Sequence, residues 1–343
     1  MISTSSGADE RATAADAVLS AESADSAESA ESAVSTTSTR RTVLLVVHTG
    51  RRQAVEVACT VARQLAASDI SVRLLEGEAA DLALDSAEVV PADDRAALDC
   101  ELAVVIGGDG TILRAAELTR LGGTPLLGIN VGHVGFLAEA EPADLDATVE
   151  AIIGGSYVVE DRLTLDVEVV ANGASSFGWA LNEASVEKAA RQRMLEVVVE
   201  IDNRPLSRWG CDGIVFATPT GSTAYAFSAG GPVVWPEVQA LLMVPISAHA
   251  LFARPMVASV DSTLAVEILA QTAGGGVLWC DGRRPMELSP GARVEVRRGK
   301  HAIRLARLQA GPFTDRLVVK FDLPVSGWRG AGARRRAVGD EVT

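Results

Sequence analysis

Cysteine is scarce in this chain of 343 residues, and the four present, Cys59, Cys100, Cys211 and Cys280, stand far apart. No CxxC pair and no histidine at ligand spacing accompanies them. That speaks against a zinc site or a disulfide framework and for reduced thiols in a cytoplasmic protein. Aromatic residues make up 4% of the chain and none precedes Phe136, so a core in the first third must be built from Val, Leu, Ile and Ala. No apolar run approaches the roughly 18 residues that a membrane-spanning helix needs. The N-terminus carries neither the basic patch nor the apolar stretch of a secretory signal. Positive charge is also short: 31 basic residues face 45 acidic ones, a net charge of −14. Such a chain is repelled at long range by nucleic acid and by anionic membranes, so neither is expected as a partner. These absences leave a soluble, acidic protein, 48% hydrophobic and 22% charged, with material for one large or two ordinary domains.

Residues 1–39 hold ten alanines, ten serines and seven acidic residues, with one arginine and no aromatic. A segment of this kind buries too little apolar surface to offset its ordering entropy, and it is expected to be disordered. Order is expected to begin at Thr42–Val47, a continuous apolar run of the sort buried in a parallel sheet. A helix over Gln53–Ala67 follows, with Val57, Val61 and Leu65 on one face. Ile70–Leu75 reads as a strand, then comes a polar connection, then a buried strand at Leu102–Ile106. Ile112–Arg120 reads as a helix and Pro125–Ile129 as a fourth strand. Strands and helices alternating over short connections predict βαβ units and a parallel, Rossmann-like sheet.

Beyond about residue 155 the hydrophobic period changes from helical to two. Leu163, Leu165, Val167 and Val169 alternate with polar residues, as do Leu195, Val197, Val199 and Ile201, and again Val294 and Val296. With turn candidates at Ala171-Asn-Gly173 and Gly274-Gly-Gly276, this predicts antiparallel sheet. The expected organisation is a disordered tail (1–39), an α/β domain (40–154), an all-β, antiparallel domain (155–329) and a loose C-terminal tail (330–343).

Three motifs stand out. Gly107-Gly-Asp-Gly-Thr111 lies where a buried strand ends and a helix begins, the place where open α/β sheets hold ligands. Its glycines let N–H groups of Gly107, Gly108, Gly110 and Thr111 approach an anion, and the helix N-terminus adds a positive dipole, so phosphate is the natural guest. Asp109 in their midst suits proton or metal handling; an ordinary turn with Asp109 as helix cap is the bland alternative. The second motif, Gly210–Pro232, holds 23 residues without Lys, Arg or Glu. It offers hydroxyls, exposed N–H groups and the Tyr225 ring, a composition better suited to a ligand than to a solvated loop. The third, Asn182-Glu183, places an amide and a carboxylate at a strand end and is weak by itself. No GxxxxGK[ST] occurs and no GxGxxG follows the first strand, which excludes a Walker-type NTPase and the usual dinucleotide fingerprint.

Taken together, Gly107–Thr111, Leu181–Glu183, Asp212-Gly213 and Thr218–Pro232 resemble bacterial NAD kinases of the ATP-NAD kinase type, from Val43 to about Arg329. Asn130–Leu137 and His249–Met256 support the likeness. The resemblance implies transfer of the γ-phosphate of ATP, or of polyphosphate, to the adenosine 2′-hydroxyl of NAD, giving NADP. It implies Asp109 as acceptor of the hydroxyl proton and as an NAD contact beside Gly110 and Arg114. It further implies that Asn182 and Glu183 line the adenosine ribose and that Asp212 lies near the nicotinamide half. The segment Thr223, Ala224, Tyr225, Ala226, Phe227 and Ser228 would wrap the dinucleotide, and Arg193 aligns with another contact by counting. Gly107, Gly108, Gly110 and Thr111 would hold the ATP phosphates, with Mg²⁺ arriving on ATP rather than in a metal cage of the protein. A dimer or tetramer is implied as well. At Asp281-Gly-Arg283 the chain departs from the glutamine of many members. A lipid or sugar kinase sharing the GGDG turn, and a non-catalytic NAD-sensing module, are the competing functions. Formation of NADP from ATP and NAD separates them.

Overall fold

The computed structural model describes residues 40–132, 135–140, 144–272, 274–308 and 311–325. Segment 1–39 and the tail from residue 330 lie outside them. Strand β1 (Thr42–Val47) buries five of its six residues. Helix α1 (Arg52–Ala67) buries Val57, Val61 and Leu65, the face that their spacing predicts. β2 (Ser71–Leu75) follows. The expected polar connection holds two elements instead, helix α2 (Glu76–Leu82) and strand β3 (Glu88–Val90). Neither has a strong pattern: α2 is seven residues with Gly77 inside, and β3 is a three-residue edge strand. β4 (Leu102–Ile106) is buried throughout. Helix α3 runs Asp109–Thr119, three residues earlier than its apolar pattern suggests, because extended Gly108 takes the N-cap position. β5 (Leu126–Ile129), α4 (Leu145–Gly154) and β6 (Val158–Arg162) complete this half.

The β-rich half begins with the hairpin of β7 (Leu165–Ala171) and β8 (Ala174–Ala180). Asn172 and Gly173 turn it with φ of 52° and 78°, the left-handed pair whose twist suits a two-residue hairpin. β9 (Glu183–Lys188), β10 (Leu195–Ile201), β11 (Arg204–Cys211) and β12 (Gly213–Ala217) follow. After short helix α5 (Tyr225–Ser228) come β13 (Ala240–Ile246), β14 (Met256–Ser259) and β15 (Leu264–Ile268). β16 (Gly276–Cys280), β17 (Arg284–Leu288), β18 (Arg293–Arg298), β19 (Ile303–Arg307) and helix α6 (Phe313–Phe321) end the described chain.

Three sheets result. The first has the order β3-β2-β1-β4-β5-β19-β6 and is parallel except for the β19–β6 pair. Alternate residues of β1 serve its two faces. Val43, Leu45 and Val47 pack with α1 and α4, whereas Leu44 and Val46 pack with α3. The antiparallel sheets have the orders β11-β10-β15-β18-β7-β8 and β14-β13-β12-β9-β16-β17. They share one core, in which Val167, Val197 and Val266 of the one meet Ile214, Phe216 and Leu278 of the other. Each such fully buried side chain contributes about 1.5–3 kcal/mol. Gly274–Gly276 does not turn a hairpin; it lies where the chain crosses from β15 in one antiparallel sheet to β16 in the other. The α/β character followed by antiparallel sheet agrees with the change of hydrophobic period.

Candidate functional site

Strand order locates the site. From β1 the chain moves outward to β2 and β3, and from β4 it moves the other way to β5, so the connections diverge between β1 and β4. Such a switch point, at the carboxyl ends of the strands, leaves a crevice for ligands. Here it is a cavity of about 560 Å³ lined by His48, Arg51, Gly108, Gly110, Arg114 and Arg283, among others. Of the N–H groups expected to face an anion, that of Gly107 donates to Ile129 O (3.0 Å) and that of Thr111 to Gly108 O (2.9 Å). This leaves those of Asp109 and Gly110 at the positive end of α3. Arg114 donates to Val47 O (2.9 Å) and pairs with the buried Glu78 carboxylate. Arg283 pairs with Glu117 of α3 at 3.1 Å. His48, Arg51 and the wall position of Arg283 are additions to the sequence reading. Their signal was the carboxyl end of the first strand, His48–Arg51, beside the GGDG turn.

Asp109 does not cap its own helix. Its carboxylate accepts from the N–H of Phe136 (3.1 Å) and of Leu137 (3.2 Å), which fixes its direction away from the helix. The approach needs glycine at the preceding position, since a Cβ on Gly135 would lie well inside contact distance of Asp109 Oδ1. Phe136 and Leu137 in turn line a second cavity, of about 480 Å³, together with Thr220 and Thr223. Helix α6 lies along this region. Phe321 meets Phe136 at 5.6 Å and Phe227 at 4.7 Å between ring centroids, and Phe313 meets Trp235 at 5.4 Å. The ring stack thus ties the segment that holds Asp109 to α5.

The Asn182-Glu183 pair sits where the chain passes from the β7–β8 hairpin into the other antiparallel sheet, and Glu183 begins β9 rather than ending a strand. Both are buried. Asp281 holds this crossing: its carboxylate accepts from the N–H of Leu181 (3.0 Å), Asn182 (2.7 Å) and Glu183 (3.3 Å), and from Arg284 (2.6 Å). Thr218 clamps it from the other side, donating its hydroxyl to Leu181 O at 2.6 Å. Gly221 packs so tightly on the Asn182 carbonyl that a Cβ there would overlap it. The Glu183 carboxylate accepts from the N–H of Tyr225 at 3.3 Å. Burial, and then the neighbouring Asp281 charge, push Glu183 up to about 8, while the Tyr225 N–H pulls the other way. The Tyr225 phenol is raised by burial and by the charges of Glu187, Glu183 and Asp212, which places these groups around one ring. Asp212 pairs with Lys188.

The structure therefore brings together Asn182, Glu183, Asp212 and the Thr223–Ser228 segment, and joins them to Asp109 through Phe136 and α6. Ala226 is buried beneath that segment against Val215 and Leu242. Gly107, Gly108, Gly110, Thr111 and Arg114 gather at the switch point. Arg193 is exposed in the β9–β10 connection, and among the described residues no hydrogen bond or ion pair ties its side chain to either group. Asp281, Glu187 and Lys188 were missed; the first is a lone acidic residue before a glycine, with nothing local to announce its partners a hundred residues away.

Residues 43–157 match the model of the ATP-NAD kinase N-terminal domain, and residues 181–308 match that of the ATP-NAD kinase C-terminal domain. The chain is 61% identical over 294 residues to NAD kinase 2 of Streptomyces coelicolor, covering 85% of this chain and 97% of that protein. It is 57% identical over 305 residues to the NAD kinase of Thermobifida fusca, covering 86% of this chain and 93% of that one. In fold it resembles yeast NADH kinase complexed with NADH, with a TM-score of 0.75 and 22% identity over 84% of this chain and 89% of that chain. An Archaeoglobus fulgidus NAD kinase in complex with ATP gives a TM-score of 0.62 and 24% identity, covering 82% and 98% of the two chains. With residue identity of this extent over nearly the whole length of the bacterial enzymes, the chain belongs to the ATP-NAD kinase family.

Proposed function

We propose that the two cavities are the donor and acceptor sides of one phosphotransfer site, with Asp109 between them. As a member of the ATP-NAD kinase family the chain phosphorylates NAD to NADP. One observation carries the assignment of sides: the neighbours of Asp109 in the chain, Gly108 and Gly110, line the switch-point cavity, while its hydrogen-bond donors, Phe136 and Leu137, line the other. MgATP is the substrate on the donor side. Its phosphates meet the N–H groups of Asp109 and Gly110 at the start of α3 and the guanidinium groups of Arg51, Arg114 and Arg283. The divalent cation arrives on those phosphates, where it spreads the charge of the transferring group. Among the described residues no three carboxylates, imidazoles or thiols gather into a metal cage of the protein's own.

NAD lies on the acceptor side, its adenosine ribose against Asn182 and Glu183 and its length along Thr223–Ser228, with Asp212 toward the nicotinamide half. Glu183, raised to about 8, enters at neutral pH largely as the acid and can donate to a ribose oxygen as well as accept. It holds the 3′ side while Asp109 addresses the 2′-hydroxyl, so a difference of one carbon becomes regiospecificity. An ordinary carboxylate cannot strip an alcohol in the ground state. Asp109 takes the proton late, when phosphorus–oxygen bonding has acidified the hydroxyl. The domain division proposed with this site is 40–154 and 155–329, with Val158–Arg162 and Ile303–Arg307 contributing strands to the first sheet. Four unpaired cysteines, three of them buried, support a cytoplasmic setting. The test is the Asp109→Asn enzyme incubated with MgATP and NAD: NADP formation is lost while NAD still binds.

A further inference from the structure

Away from the cleft, one surface runs against the charge balance of the molecule. The end of β18 and the turn after it read Arg297-Arg298-Gly299-Lys300-His301 in a chain of net charge −14. Two concavities meet there, of about 460 Å³ and about 790 Å³, both lined by Arg120, Lys300 and His301. Most cations nearby are matched: Arg297 by Glu295, and Arg120 by Asp166 at 2.9 Å. Arg298 and Lys300 are exposed, and among the described residues neither side-chain charge makes a hydrogen bond or an ion pair.

Asp166, Glu168 and Glu295 line the first concavity and Asp161 the second, but Asp166 and Glu295 are taken up by Arg120 and Arg297, and Glu168 accepts from Ser175. The Trp179 ring lies between the guanidinium groups of Arg120 (4.8 Å) and Arg284 (4.2 Å), so two like charges share one indole. The Nε atoms of both arginines are buried without a hydrogen-bond partner, while their charges are matched by Asp166 for Arg120 and by Asp281 and Glu117 for Arg284. Two residues before Trp179 on the same face of β8, Phe177 lies at the rim with 73% of its surface exposed. An apolar ring left in water beside unmatched cations is an arrangement that a flat, anionic ligand would complete.

We propose that this surface binds a ligand bearing a chain of phosphates, with Arg298 and Lys300 as its anchors. Phosphate oxygens accept charge-assisted hydrogen bonds from both side-chain types, and the guanidinium fork suits them best. The concavities have the size of ordinary ligand pockets. Two sources share this chemistry. Inorganic polyphosphate would use the cations alone, whereas a nucleotide would also stack its base on Phe177.

Hydrogen–deuterium exchange of the full-length protein distinguishes the outcomes, because it reports this surface and the catalytic turn separately. Titration with sodium tripolyphosphate, and separately with ATP, is expected to protect segments 174–180 and 297–304 in addition to 107–114. In Arg298→Ser/Lys300→Ser the protection midpoint at 297–304 should rise about tenfold or more, as loss of charge-assisted bonds implies. Protection at 107–114 and the melting temperature should not move. Arg298→Lys/Lys300→Arg should restore the original midpoint, which separates lost charge from lost fold. Phe177→Ala weakening ATP and sparing tripolyphosphate identifies a nucleotide ligand; equal midpoints for both identify polyphosphate. No protection at 174–180 and 297–304 at concentrations that protect 107–114 would overturn the proposal. So would a midpoint unchanged in the double serine variant.

Discussion

Asp109 and Glu183 are both carboxylates of the cleft, and their surroundings suit them to different work. Asp109 is half-exposed and held by two backbone N–H groups, whereas Glu183 is buried, with one N–H donor and the Asp281 charge nearby. Asp109→Asn keeps the size of the side chain and removes the proton acceptor. Turnover should fall by about 10²–10⁴-fold with NAD affinity little changed, as measured by steady-state kinetics and calorimetric binding. Glu183→Ala removes a charged or strong hydrogen bond to the ribose, so kcat/KM for NAD should drop roughly ten- to hundredfold while KM for ATP stays near its original value. Burial of Glu183 also predicts a pH signature in the ligand-free protein. Its pKa is about 8 in the folded chain against 4.5 for an unperturbed glutamate, so the folded state keeps a proton that the unfolded state releases in between. That contribution is fully present below about 4.5 and is lost as pH rises toward 8. Glu183→Gln lacks it. Melting curves should show the variant gaining stability relative to the parent from pH 5 to pH 8; parallel curves would contradict the assignment.

At the scale of elements, the catalytic geometry depends on close approaches made by glycine. A Cβ at Gly135 would displace the Asp109 carboxylate, so Gly135→Ala should lower kcat by tenfold or more, on the principle that about 1 Å of misplacement can cost about 10²-fold. Circular dichroism should stay unchanged, since the substitution adds one methyl group against the Asp109 carboxylate and removes no core side chain. β1, α1, β4, α3 and β5 were legible in the sequence because strands buried on both faces read as unbroken apolar runs. The β7, β10 and β18 patterns were legible because each shows one face to the core. The pairing of β19 with β5 and β6 was not, because it joins residues far apart in the chain and no local pattern encodes it. α2 stayed hidden because its buried Glu78 reads as a solvent residue until Arg114 is seen beside it. The GGDG turn and the Thr218–Pro232 string announced themselves by composition. The role of Asp281 emerged only from three-dimensional contact with Leu181, Asn182 and Glu183.

For the molecule as a whole, the proposed site draws its phosphate-facing helix end from the α/β layer and its acceptor groove from the β layers. The described surface also exposes the apolar residues Leu251, Phe252 and Met194, the last with its side chain against Gly210. Trp209 of the same strand donates to Phe252 O at 3.0 Å. The central claim is that one cleft around Asp109 transfers phosphate from MgATP to NAD. Its most direct test is NADP formation, followed with an NADP-specific dehydrogenase, in the parent and Asp109→Asn proteins at equal NAD occupancy. NADP accumulating with the parent and falling by at least about a hundredfold with the variant is the expected result. A variant that keeps more than half the parent turnover would contradict it.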